Sequence, residues 1–390
     1  MGARPTLTVD AAMVRALELG ARGPAHGPNP RVGCVLLAPR PRPLDSLPDG
    51  AAPGPVDASP RAVLAEGFHR GAGTAHAEAA ALADARGRGV DVRGATAVVT
   101  LEPCDHTGRT GPCTQALLDA GVTEVVYAVA DPDPVARGGG ERLRRAGVRV
   151  AAGLREAEGE ALLGPWLVAV RRGSPYVTLK LASTLDGRVA APDGTSQWIT
   201  GPAAREHAHR VRAQVDAIVV GTGTVVADDP SLTARTGDVA GPGPGLAEHQ
   251  PVRVVVGLRD LPPHVRLAPA GAWTSDGGGP VLHLRTRDVH AVLADLAARE
   301  VRHVLVEGGP DLATAFLAAG VVDEVHAYLA PVLLGAGRGA VGDLGVTTLA
   351  DAPRLVTHDV RRLGEDVLVV ARTAPGSLRP THRTTPEQEK

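Results

Sequence analysis

Three side chains, His76, Cys104 and Cys113, constrain the fold of this chain more than any other feature. One imidazole and two thiols make a zinc donor set, but only if the fold brings three separate points of the chain together. Thr74–Glu78 opens an Ala-rich segment, so His76 and Glu78 are expected in the first turn of a helix. Ala95–Thr100 reads as a strand running into Leu101-Glu102-Pro103-Cys104, and Cys113 starts a second helix that Gly121 stops. Donors at a strand end and at helix starts call for a layered α/β arrangement. Three protein ligands leave one tetrahedral position for water, whose pKa the metal lowers to about 7. A closed structural site needs a fourth ligand; the nearest candidate, His106, lies in the polar loop between the cysteines.

At 390 residues the chain exceeds one ordinary core, and two domains are expected. Residues 1–173 form the first, with a helix at 9–21 and strands at 32–37, 64–69, 123–130 and 147–151 besides the elements just named. Within it, the Pro- and Gly-rich stretch 38–62 reads as an insertion, and 155–172 as a connecting helix before a Gly173-Ser174-Pro175 hinge. The second domain, 174–373, alternates again. Strands are expected at 176–182, 215–220, 252–256, 281–284, 302–306, 323–330 and 366–371, and helices at 202–213, 288–299 and 311–319. Stretches 236–250 and 269–280 are loop-like, and the polar tail 374–390 is expected to be disordered.

Composition narrows the function. Net charge is −2 and aromatic residues make up 2% of the chain, so the basic stripe and stacking platforms of a nucleic-acid binder are missing. A small-molecule partner is favoured, and homo-oligomerisation is left open. Three cysteines cannot form a paired disulfide framework, no apolar run is long enough to span a membrane, and a reducing cytoplasm fits. The basic residues are almost all arginine; Lys180 and Lys390 are the only lysines, which singles out Lys180.

His76-Ala77-Glu78 followed by Pro103-Cys104 is the pattern of zinc deaminases, in which the glutamate moves protons and is not a ligand. A lone His-x-Glu is common on helix surfaces; the two cysteines give it meaning. Eight residues separate Cys104 from Cys113, more than in many nucleoside and editing deaminases, and that loop could wrap a substrate. Asn29, between two prolines before a strand, could present a donor and an acceptor to a pyrimidine edge, or simply make an Asn-Pro turn.

The Pro-Asn-Pro-x-Val-Gly-Cys-Val segment from Pro28, His76-Ala77-Glu78, and the run from Glu102 through His106, Gly108-Arg109-Thr110 and Pro112-Cys113 resemble the bacterial bifunctional deaminase–reductases of riboflavin biosynthesis. The resemblance implies a cytidine-deaminase-like three-layer α/β/α domain followed by a dihydrofolate-reductase-like α/β domain. It assigns Zn²⁺ to His76, Cys104 and Cys113, the proton shuttle to Glu78, and substrate contacts to Asn29, His69, Arg109, Asp131 and Asp133. Arg109 stands where lysine is frequent and keeps the positive charge; Asp133 stands in place of asparagine and loses an amide donor.

The likeness continues through Lys180–Arg188, Ser196–Thr200 and Asp228–Arg235. There it implies NADPH held by Ser183, Trp198, Thr224, Asp228 and the turn Gly309-Pro310-Asp311-Leu312-Ala313-Thr314-Ala315. Substrate would meet Ser196, Arg212, Leu232, Arg235 and Glu307, with Arg212 and Arg235 able to clamp a phosphate and Lys180 able to polarise a carbonyl. Read without the likeness, this half says less. Gly337–Gly342 fits G-x-G-x-x-G but has no helix pattern after it, so it reads as a loop. The turns at Gly221–Thr224 and Glu307–Pro310 follow strands and suit a phosphate, or are turn chemistry alone. Against the likeness, Val256-Gly257-Leu258 lacks the polar pair that the resemblance implies at a cofactor-facing strand end.

The expected activity is deamination of 2,5-diamino-6-(5-phosphoribosylamino)pyrimidin-4-one, followed by NADPH-dependent reduction of its ribosyl group to ribityl. Two alternatives stand beside it: a nucleic-acid editing deaminase with an accessory C-terminal module, and a zinc-stabilised binding protein without catalysis.

Overall fold

The computed structural model describes residues 5–40, 59–106, 111–237, 245–267 and 276–374. Most of the 38–62 insertion and of the 269–280 stretch, Arg109, seven residues of the 236–250 stretch and nearly all of the 374–390 tail lie outside the described residues. The chain forms two compact units, residues 1–173 and 174–390.

In the first unit, β1 (Thr6–Leu7) leads into α1 (Val9–Gly20), capped by the Thr8 hydroxyl, which accepts from Ala11 N at 3.1 Å. Then come β2 (Gly33–Leu37), β3 (Arg61–Phe68), α2 (Ala77–Gly87), β4 (Thr96–Leu101), α3 (Cys113–Asp119), β5 (Glu124–Val129), α4 (Gly139–Arg145), β6 (Arg149–Ala152) and α5 (Glu156–Arg172). The sheet runs β1-β3-β2-β4-β5-β6, antiparallel on the β3 side and parallel from β4 to β6. Strands β2, β4 and β5 are buried at every residue, as a sheet covered on both faces requires. Small residues let the layers close: a Cβ on Gly33 would lie 1.9 Å from Ala16 O of α1, and one on Gly67 would lie 2.3 Å from Ala81 N of α2.

Two features were not expected. Helix α4 follows a glycine run without an apolar stripe, so no periodicity announces it. Its glycines have another purpose: a Cβ on Gly139 would sit 1.7 Å from Pro103 O, so only glycine lets the helix start press against the Pro103-Cys104 turn. The connecting helix α5 is broken at Gly164 (φ 45°, ψ −122°), where Pro165 removes a backbone donor.

The second unit comprises β7 (Tyr176–Thr184), β8 (Arg188–Ala190), α6 (Pro202–Arg212), β9 (Ala217–Gly221), α7 (Thr222–Asp228), β10 (Arg235–Thr236), β11 (Gly245–Leu246), β12 (Val252–Val256), β13 (Val281–Leu284), α8 (Val289–Ala298), β14 (His303–Val306), α9 (Pro310–Ala318), β15 (Glu324–Ala330), β16 (Arg338–Gly339), β17 (Leu355–Leu363) and β18 (Asp366–Thr373). Its main sheet runs β13-β12-β9-β14-β7-β15-β18-β17, parallel as far as β15 and closed by the antiparallel β18 and β17. Strand β17 escaped the sequence reading because it is an exposed edge: HDVRRL carries too little apolar alternation to stand out. Helix α7 occupies the turn expected after β9. The Gly337–Gly342 segment opens no helix, but it is not all loop as expected: it carries β16, paired with β8, and Gly337 (φ 117°) brings it against Ala190 O of β8.

Candidate functional sites in the two units

In the first unit, His76 is the N-cap of α2, one position before the expected first turn, and Glu78 lies inside that turn. Cys104 follows β4 and Cys113 opens α3. His76 Nδ1 lies 3.6 Å from Cys104 Sγ and 3.3 Å from Cys113 Sγ, and the three donor atoms are all within 4.8 Å of one another. Tetrahedral zinc, with the usual Zn–N and Zn–S lengths, puts nitrogen and sulfur about 3.6 Å apart, so the donor set fits the ion. The thiol pair shares a proton: the hydrogen bond between them holds Cys104 low and pushes Cys113 up. A metal ion displaces that proton. Glu78 is 3% exposed, and burial, then the Cys104 charge, raises its carboxyl to about 7. Such a group is suited to take a proton and give it back near neutral pH.

Asn29 and His69 meet beside this centre. Asn29 Nδ2 donates to His69 Nε2 at 2.9 Å, and His69 Nδ1 lies 3.1 Å from Ala75 O. Because a carbonyl only accepts, the Nδ1–H tautomer satisfies both contacts. Burial keeps His69 neutral by lowering its pKa, and its ring packs edge-on to His76 at 5.5 Å. This arrangement uses the Asn29 amide nitrogen and leaves its carbonyl oxygen as an acceptor. Trp166 of α5, which the sequence reading did not single out, donates to Pro28 O at 2.8 Å and so pins the Pro28-Asn29-Pro30 turn.

Asp131 follows β5 and is 8% exposed, with burial raising its carboxyl to about 6. Its position depends on Glu102, whose two carboxylate oxygens accept from Asp131 N (3.1 Å) and Gly140 N (2.8 Å). Asp133 accepts from Val135 N at 2.9 Å. That bond needs a carbonyl-type oxygen, which aspartate and asparagine share, so the missing amide donor does not disturb the turn.

In the second unit a cleft of about 730 Å³ brings together Lys180, Ser196, Trp198, Arg212, Asp228, Leu232 and Arg235. Trp198 is 71% exposed and carries Arg205 over its ring at 4.7 Å. Burial raises the Asp228 carboxyl. Two non-glycine residues of the cleft loop hold positive φ, Asp229 (39°) and Leu232 (53°), backbone strain of the kind that gathers at functional sites.

Arg212 differs from expectation. Its Nε and Nη2 are committed to Glu307 at 2.6 and 2.8 Å, and Nη1 to Thr233 O at 3.1 Å, so a bidentate phosphate clamp by Arg212 is already occupied by protein. Burial works against the Glu307 charge, but Arg212 and Lys180 overcome it and hold the carboxyl down to about 2. Lys180 Nζ lies 3.6 Å from Glu307 and 5.7 Å from the Tyr328 ring centre, on the cleft-facing side of β7.

The other cofactor candidates lie apart from the cleft lining. Strand alternation turns Ser183, with Leu181, away from the face of Lys180 and Ala182. Because β9 and β14 are neighbours, the turns that follow them meet: Gly309 N donates to Thr224 Oγ1 at 3.2 Å. Gly309 caps α9, Pro310 begins it, and Leu312, Ala313 and Ala315 pack into the core, so within Gly309–Ala315 the backbone N–H groups at the helix start are what a phosphate can use. Asp311 pairs with Arg338 at 2.8 Å, and Thr314 Oγ1 accepts from Gly342 N at 2.7 Å, which docks the Gly337–Gly342 loop on α9. Of the two glycines in this turn, Gly309 leaves room for a ligand, since the nearest atom to its Cβ would be Thr224 Oγ1 at 3.6 Å, whereas a Cβ on Gly308 would meet Leu312 at 2.5 Å.

Comparison with known proteins bears on both units. Residues 8–129 match the family model "Cytidine and deoxycytidylate deaminase zinc-binding region", and residues 175–369 match the "RibD C-terminal domain". The riboflavin biosynthesis protein RibD of Mycobacterium tuberculosis is 43% identical over 372 residues, 95% of this chain and 98% of that protein. The chain belongs to the RibD family. The Escherichia coli RibD is 39% identical over 91% of this chain and 96% of its own length. Among solved structures, Acinetobacter baumannii RibD (35% identity, TM-score 0.77) is covered over 99% of its length by 94% of this chain. A Thermotoga maritima diaminohydroxyphosphoribosylaminopyrimidine deaminase/5-amino-6-(5-phosphoribosylamino)uracil reductase aligns with the same coverage at 33% identity and TM-score 0.77. The chain is thus a bifunctional deaminase and reductase of riboflavin biosynthesis, with a cytidine-deaminase-like unit followed by a RibD reductase unit, and zinc and NADPH are its cofactors.

Proposed function

We propose that the first unit deaminates 2,5-diamino-6-(5-phosphoribosylamino)pyrimidin-4-one and that the second reduces the ribosyl group of the product to ribityl with NADPH. The observation that carries the reading is the convergence of His76, Cys104 and Cys113 within 4.8 Å beside a buried carboxyl at Glu78. Those three residues hold the zinc, which when bound supplies an activated water at neutral pH. Glu78, held near neutrality by its burial, takes up a proton and delivers it to the departing amino group. Asn29, fixed by His69 and Trp166, offers its carbonyl oxygen to the pyrimidine edge, with Asp131 and Asp133 as further substrate contacts and Arg109 supplying charge for the phosphate.

In the second unit, Lys180 is the cation aimed into the cleft, held by Glu307 and suited to polarise the C1′ centre as it receives a hydride. Glu307 is itself fixed by Arg212, which makes Arg212 an orienting residue and leaves Arg235 to meet the phosphate. NADPH, when bound, is the hydride donor; Trp198, Thr224, Asp228, Ser183 and the N-terminus of α9 are the residues proposed to hold it. Ser196 and Leu232 complete the substrate walls. Near-neutral net charge and scarce aromatics support a small-molecule partner over nucleic acid. The free thiols Cys34, Cys104 and Cys113 suit a cytoplasmic location, and assembly as a homo-oligomer is compatible with the reading. Among the described residues, no helix is long and apolar enough to cross a membrane.

The test follows both reactions on one sample. Given the diamino substrate and NADPH, the protein should release ammonia first and oxidise NADPH only as deaminated product accumulates. NADPH oxidation that runs at full rate before any ammonia appears would overturn the order, and absence of both would overturn the substrate.

A further inference from the structure

Helix α6 lays Arg205, Ala208, His209 and Arg212 along the cleft at helical spacing. His209 has no part in the reading above. Its Nδ1 lies 3.0 Å from Thr233 O, and since a carbonyl only accepts, Nδ1 carries the proton and Nε2 bears a lone pair. Among the described residues Nε2 has no hydrogen-bond partner, and the ring lines the cleft while Thr233 is 1% exposed behind it. The unused edge of the imidazole therefore faces the cleft.

Thr233 also fixes what His209 sits beside. The same carbonyl accepts from Arg212 Nη1 at 3.1 Å, and the Thr233 hydroxyl accepts from Arg235 Nε at 3.1 Å. One buried residue thus sets three cleft side chains in register, with His209 next to the arginine proposed to meet the phosphate. Burial and then the Arg212 charge hold the imidazole down to about 4, so it is neutral and offers an acceptor, not a second cation. A phosphate oxygen has no use for a lone pair; it needs donors. The donors nearest a sugar phosphate's anionic end are the hydroxyls of the sugar itself.

We propose that His209 is a further substrate-binding residue of the reductase unit, its Nε2 accepting a hydrogen bond from a hydroxyl of the substrate's pentose chain. The proposal rests on the substrate reading above, and its test separates the two. Full-length protein is titrated calorimetrically with ribose 5-phosphate, 2-deoxyribose 5-phosphate and 3-deoxyribose 5-phosphate, which reads binding and not turnover. Wild type should prefer ribose 5-phosphate over one of the deoxy sugars by about tenfold, the usual worth of one neutral hydrogen bond left unmade. His209→Asn keeps a donor for the Thr233 carbonyl but lacks the far acceptor; it should bind ribose 5-phosphate about tenfold more weakly and lose the preference, with thermal midpoint and NADPH affinity unchanged. His209→Gln, which reaches further with an amide oxygen, should recover part of the preference.

A His209→Asn protein with wild-type affinity and preference overturns the contact. So does equal loss of all three sugar phosphates in both variants together with a lowered thermal midpoint, because that marks support of Arg212 and Arg235. Failure of the wild type to bind any sugar phosphate overturns the substrate reading and the contact together, and is seen before any variant is made.

Discussion

The metal centre of the first unit and the cleft of the second are built on opposite plans. The first hangs its chemistry on element starts: His76 caps α2, Cys113 opens α3, and Cys104 follows β4. Each donor is placed by a short local motif, and the fold brings the three within 4.8 Å of one another. The second unit hangs its chemistry on a buried ion pair between Arg212 at the end of α6 and Glu307 after β14, 95 residues apart, with Lys180 from β7 as the third charge. There the protein itself neutralises the charges that a ligand would otherwise meet. The difference teaches that a motif reader finds a metal site easily, while a salt bridge between distant elements leaves no motif to read.

Removing one member from each plan exposes the contrast. Cys104→Ala should abolish zinc binding and reduce ammonia release by on the order of 10³-fold or more, while NADPH oxidation with deaminated substrate stays within about twofold. Metal analysis and the two assays on the same preparation check it; a parallel fall in both activities would merge the two plans into one. Glu307→Ala leaves Arg212 buried without its partner and should cost about 3–5 kcal/mol of stability, read in denaturant unfolding. The pH dependence has a definite sign. Glu307 is depressed in the folded state to about 2, so its stabilisation is present above the ordinary carboxylate range and is lost as pH falls from about 4.5 to 2. The Glu307→Ala protein should show a flatter stability curve across that window; an equally steep one would remove the ion pair from its central role.

Much of this was legible beforehand, for identifiable reasons. The donors His76, Cys104 and Cys113, with Glu78, were readable because zinc chemistry demands particular residue types at element boundaries that capping and alternation reveal. The parallel core strands were readable because strands such as AIVVG are apolar throughout. What stayed hidden depends on contacts between distant elements. The Arg212–Glu307 bond has no local signature, and two arginines near a phosphate-using motif naturally look like a clamp. Helix α4 and strand β17 lack the periodicity that a reader needs, one because glycines start it against Pro103, the other because it is an exposed edge. Trp166 acts through a single bond to a backbone carbonyl and Thr233 through bonds to three neighbours, which spacing cannot show. His209 did leave a trace: it stands four residues after Arg205 and three before Arg212 on one helix.

Two smaller changes sharpen the first plan. Trp166→Phe removes the bond to Pro28 O and should weaken the Asn29 turn by about 1 kcal/mol, raising the KM of deamination about fivefold with little change in kcat. An unchanged KM would show that the turn holds itself. Asp133→Asn should leave both activities within about twofold, since the side-chain oxygen that caps Val135 N survives. A large gain in deamination would mean that the amide nitrogen matters after all.

The central claim is that one chain carries two separate chemistries, and one crossover measurement tests it most directly. Glu78→Gln and Lys180→Met proteins, each with its zinc content determined, are assayed for ammonia release from the diamino substrate and for NADPH oxidation with pre-deaminated substrate. The account predicts that Glu78→Gln retains zinc and NADPH oxidation but loses ammonia release by about 10²- to 10⁴-fold, while Lys180→Met shows the reverse pattern. Loss of both activities in either variant, with zinc and folding intact, would contradict it.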